Sequence, residues 1–178
     1  MTNRTDFIIK ALHVVSWIIF IGFCIQTGTL VFNYIFSLIN PAATHNLYLG
    51  LNLSELYRDN KTTYTLLFSC IAFLSAMKAY LFYLIITLLS RLDLLKPFSL
   101  STAELISKVS YQILNIGVVG LITHQFAKRL AQKGINVQSA EIFWNDSDTF
   151  LLLAAVAFVF AQIFRKGIEL QNENDLTV

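Results

Sequence analysis

The chain has 178 residues, of which 56% are hydrophobic and 13% charged, with a net charge of +2 and a mean hydropathy of +0.62. A soluble domain of this length would carry roughly a quarter charged residues, so that class is excluded. A membrane span needs roughly 20 largely apolar residues, and four stretches qualify: about 11–34, 63–89, 105–127 and 149–166. The first is too long, and too poor in a small-residue cleavage site, for a signal peptide. The sequence thus predicts an all-α membrane protein, a four-helix transmembrane bundle occupying 1–178, with residues 167–178 as a tail.

Asn40-Pro41 ends the first helix, because proline removes a backbone donor and restricts its neighbour. The loop after it contains "NLYLGLNLSELY", in which Leu47, Leu49, Leu51 and Leu53 alternate with other residues. Period-two alternation suggests an extended strand. The third loop, "GINVQSAEIFW" from Gly134 to Trp144, falls on the same face. The two are expected to cap the bundle as a short two-stranded sheet; irregular loops lying on the headgroups fit the same residues equally well. "RLDLLKP", Arg91 to Pro97, closes the second helix. Ser101-Thr-Ala-Glu104 has capping-box spacing, so the third helix should start near Thr102. Lys128, Arg129, Lys133 and Gly134 mark its end, about 48 Å away at the usual rise. Asn145, Asp146, Ser147 and Asp148 offer N-caps for the fourth.

Ionisable groups within spans are costly in lipid and usually functional. Lys78 lies mid-span, and an unpaired cation there costs at least about 2.5 kcal/mol. No Asp or Glu occupies a span core, so no buried ion pair is expected. A helical side chain leans toward its own N-terminus, which makes Gln26 a better partner for Lys78 than Asn115. A lysine facing a wet crevice or snorkelling to the interface is the plainer reading. Lys108, Gln112 and Asn115 form a polar stripe on the third helix, read as a packing seam rather than a conduction path. Small residues at Ala72, Ser75, Ala76 and Ala79, at Gly117 and Gly120, and at Ala154, Ala157 and Ala161 allow close helix approach.

Catalytic and cofactor chemistry finds little support. His13 and His124 fall near opposite membrane boundaries, about 25 Å apart by helical rise, and His45 lies in the outer loop, so haem is not expected between them. Cys24 and Cys70 sit inside spans without CxxC or metal-ligand spacing. No zinc-protease, nucleophile-elbow or phosphate-loop motif occurs. No enzyme activity, cofactor or metal is expected.

"KPFSLSTAELISKVSYQIL" and the ending "IFRKGIELQNENDLTV" resemble a family of small bacterial four-helix membrane proteins of unknown function, the YoaS-like proteins. The resemblance implies a four-span fold and a gene beside a Cro-type helix-turn-helix regulator; it supplies no reaction. With an even number of spans both termini share a side. Placing them in the cytoplasm puts seven Lys and Arg inside against five outside, which agrees with the excess of positive charge on cytoplasmic loops. The setting expected is the inner membrane. Arg165 and Lys166 would meet anionic headgroups there, and Gly167 would let the backbone bend as it leaves the membrane. Beyond it, Ile168, Leu170, Leu176 and Val178 are apolar while Glu169, Glu173 and Asp175 are acidic. The tail and the loop at Pro97-Phe98 are expected to form one docking surface for a soluble partner with a basic face, such as a helix-turn-helix regulator. Partners on this reading are the bilayer, that regulator and further copies of the chain, with no direct nucleic-acid binding. A small oligomeric transporter or channel using Lys78 is the alternative.

Overall fold

A computed structural model describes residues 3–92 and 99–175. Its helices are α1 (Asn3–Ile39), α2 (Ser54–Asp59), α3 (Lys61–Arg91), α4 (Leu100–Gln132) and α5 (Ser147–Asp175), with 3-10 turns at Pro41–His45, Tyr48–Gly50 and Gln138–Phe143. Four helices are long and apolar enough to cross a membrane. They pack chiefly in chain order, α1 on α3, α3 on α4 and α4 on α5.

Helix starts follow their capping chemistry. Asn60 accepts hydrogen bonds from the Thr62 and Thr63 amides and so opens α3. The start of α4 is set by Ser99, whose hydroxyl accepts from the Thr102 amide at 3.2 Å. The cap is therefore Ser99 rather than Ser101, and the helix begins at Leu100, slightly earlier than the capping-box reading placed it.

The cap contains no strand among the described residues, which corrects the two-stranded sheet expected from the leucine alternation. Leu47, Leu51 and Leu53 are buried, but Leu49 is 61% exposed. Leu49 and Gly50 both have positive φ, 57° and 73°, and the Leu47 amide donates to the Leu51 carbonyl at 2.9 Å. The chain reverses there, so alternate leucines do not share a strand face. The resulting core joins Leu51, Leu53 and Leu56 to Tyr64, Phe68, Phe143 and Trp144. Polar staples hold the two loops together: the Asn52 amide donates to Ser139 Oγ at 3.0 Å, and the Asn136 amide donates to Glu55 Oε2 at 3.0 Å.

Burial is uneven across the spans. Half of the most apolar window of α3 is buried but only 6% of that of α1. The first span is thus a flanking helix, fixed to α3 by Leu30, by the Phe23–Phe82 stack at 5.8 Å and by a 2.6 Å hydrogen bond between the Ser37 and Tyr64 hydroxyls. On the other side α4 and α5 meet through glycine. A Cβ built on Gly117 would lie 2.7 Å from Leu151 Cδ2, and one on Gly120 would collide with Ser147 Oγ and Cβ. Only glycine permits that approach.

Candidate functional site

The glycine contacts determine how the polar interior is assembled. Gly120 lies twelve residues before the end of α4, about 18 Å at 1.5 Å per residue. Because Ser147 packs there, α5 begins well below the tip of α4, and Asp146 is carried down with it. Lys78, 7% exposed, reaches up from α3 toward the capped end. Its Nζ donates to Asp146 Oδ2 at 2.7 Å, to Oδ1 at 3.0 Å and to the Phe143 carbonyl at 3.2 Å, and lies 5.4 Å from the centre of the Phe150 ring. The ammonium's donors are met, and its charge is neutralised by a carboxylate whose side chain is 42% exposed.

Two expectations about this site are corrected. Lys78 is paired with Asp146, not Gln26, and an ion pair is available although no acid lies in a span core. The outward lean of the lysine was legible. Its partner was not, because Asp146 reads only as an N-cap candidate at the membrane boundary until the Gly120–Ser147 contact sets its depth. Gln26 is half-buried and has no hydrogen-bond partner among the described residues. Its neighbour Thr27 instead donates to Ser75 Oγ at 2.9 Å.

The polar stripe of α4 divides. Gln112 turns inward and donates from Nε2 to the Met77 carbonyl at 3.1 Å, tying α4 to α3. Lys108 and Asn115 face outward. The seam reading therefore describes Gln112 and leaves Asn115 unassigned.

At the opposite end, α5 continues as helix through Gly167 to Asp175, so the bend expected at Gly167 does not form. A lone glycine costs a helix about 1 kcal/mol, and Lys166 and Glu169, paired at 2.7 Å one turn apart, span the position. Arg165 Nη2 approaches Ser107 Oγ at 3.4 Å. Leu170 is 52% exposed, and Glu169 and Glu173 lie one turn apart, both exposed. No basic residue occupies the last turn of α5. Pro97, Phe98 and Leu176 lie outside the described residues, so the loop half of the expected docking surface has no structural description.

The histidines stay apart. His13 Nε2 accepts from Trp17 Nε1 at 3.0 Å, while His124 is exposed on α4 beside Glu141 and Asp148 at the capped end. Among the described residues no three His, Cys, Asp or Glu side chains are placed to share a metal ion.

These features define a class: an all-helical, four-span membrane bundle whose helical cap is joined to the span interior by a buried lysine. The chain belongs to the family described as a protein of unknown function (DUF2975), whose model matches residues 48–178. No curated protein and no solved structure matches it. The matched region begins in the cap and takes in α3, α4 and α5, but not α1.

Proposed function

We propose that this chain is a non-enzymatic interaction protein of the bacterial inner membrane, with both termini cytoplasmic, that holds a soluble regulator by the end of α5. The observation that supports this is the electrostatics of that helix end. A helix C-terminus carries partial negative charge and is stabilised by cations, yet no basic residue stands in the last described turn of α5, where Glu173 is exposed. A basic surface, as a small helix-turn-helix regulator offers, complements the negative end of that helix while Leu170 supplies apolar contact. The alternative, transport through Lys78, assumed a bare intramembrane cation, whereas Lys78 is matched to Asp146.

The test is capture of such a regulator by the full chain in lipid nanodiscs. Deleting Gln171–Val178, or reversing charge with Glu169→Lys and Glu173→Lys, is expected to abolish capture while the four spans stay folded, with helix content lowered only by the residues deleted from α5 and melting lowered by no more than the exposed Lys166–Glu169 pair contributes. Retained capture by both variants overturns the proposal. Solute flux in proteoliposomes that disappears with Lys78→Leu would restore the transport reading.

A further inference from the structure

Asn115 is a polar residue that the packing of the four spans leaves without a partner among the described residues. It is exposed on α4. Lys108 and Lys128 bracket it, twenty residues apart, or about 30 Å, the thickness of the hydrocarbon. Asn115 therefore sits about 10 Å inside the nearer boundary by helical rise. Acyl chains offer an amide nothing to bond, and polar side chains at such depth face protein or water.

The surroundings form a seam. Lys108, Tyr111, Asn115, Val118, Ile122 and Gln125 are all exposed, at spacings alternating between three and four. That is the spacing of a helix-pairing stripe, in which a single Asn fixes register and partner number. Beside its outer half lies an apolar groove of about 490 Å³ between α3 and α4, to which Ile122 and Gln125 contribute.

We propose that Asn115 is the centre of a two-fold interface between copies of this chain, with α4 packed against α4. Topology favours this occupant. A second copy inserted the same way presents its own Asn115 at the same depth, so each amide both donates to and accepts from the other. An isologous contact of this kind is closed and stops at two. Val118 and Ile122 of each copy then lie toward the other's groove, while Lys108 and Arg129 stay at the headgroups, where a crossing angle separates like charges.

Single-molecule photobleaching of the full chain in vesicles, over a series of protein-to-lipid ratios, reads the monomer–dimer equilibrium. The wild type is expected to dimerise, and Asn115→Leu to weaken dimerisation about 3- to 30-fold, the range for interhelical hydrogen bonds in bilayers. Asn115→Gln, which keeps the amide, should retain the dimer. Asn115 bonds nothing among the described residues, so the melting temperature should not change. Val118→Cys, in a chain with Cys24→Ser and Cys70→Ser, keeps Asn115 and should give a disulfide-linked dimer on oxidation; this reading decides the matter if Asn115→Leu lowers folding yield. A wild type monomeric at every ratio, unaltered dimerisation by Asn115→Leu, or a dimer in which Val118→Cys fails to cross-link each overturns the interface.

Discussion

At the scale of single residues, Lys78 and Asp146 are unequal partners, and the inequality has a measurable sign. The lysine is almost wholly enclosed, whereas the carboxylate is partly open to solvent. Asp146→Asn keeps an amide oxygen for the ammonium but removes the neutralising charge and one acceptor, and is expected to cost about 1.5–3 kcal/mol, the range for hydrogen bonds to charged groups. Lys78→Met keeps the volume and lets the freed carboxylate hydrate, so it should cost less than about 1.5 kcal/mol. The double variant should resemble Lys78→Met alone, because the stranded charge is gone. Thermal melting in detergent orders the three, and an Asp146→Asn variant as stable as wild type would remove the ion pair from the account. Gln26→Leu should be silent in the same assay. Sequence reasoning found the costly residue and the direction it leans. The partner is missed because no carboxylate lies within the spans and Asp146 reads only as an N-cap candidate for the fourth helix.

At the scale of elements, the depth of α5 rests on two glycines. Gly120→Ala drives a methyl into Ser147, whose hydroxyl donates to the Trp144 carbonyl at the entry to α5. The helix start must shift, taking Asp146 with it, so a loss of about 1–3 kcal/mol from overpacking is expected. Gly22→Ala is the control, since nothing lies within 4 Å of a Cβ there; it should be neutral or stabilising by up to about 1 kcal/mol through helix propensity. Equal effects at the two positions in a melting series would refute the close-approach argument. The small-residue spacing made these glycines visible in the sequence. The cap was harder: it was located correctly over one end, but a period-two pattern across Leu47 to Leu53 cannot reveal a left-handed residue at Leu49. The apolar alternation there comes from a chain reversal, and only φ distinguishes it from a strand.

For the whole molecule, hydropathy sufficed for the class because the bilayer allows only internally bonded backbone, and each apolar run reads as a helix without tertiary context. Orientation rests on seven cations against five. Single cysteines at Gln171 and at Asn136, in a chain with Cys24→Ser and Cys70→Ser, offer a direct reading. With termini inside, a membrane-impermeant maleimide added to intact cells should label the Asn136 position and leave the Gln171 position untouched. The reverse pattern would move α5's acidic end to the other side and remove the cytoplasmic partner with it.

The sparse burial of α1 gives the bundle a direction of mechanical weakness. The ion pair and the glycine contacts lie among α3, α4 and α5, whereas the first span packs along α3, reaches the cap core through Leu30 near its outer end, and leaves most of its apolar length to lipid. Drawn out of a bilayer by its N-terminus, the chain should release α1 in a separate low-force step, and α3, α4 and α5 should follow together at higher force. Drawn from the other end it has no such detachable piece, because extracting α5 breaks the Lys78–Asp146 pair and opens the Gly117 and Gly120 contacts at once.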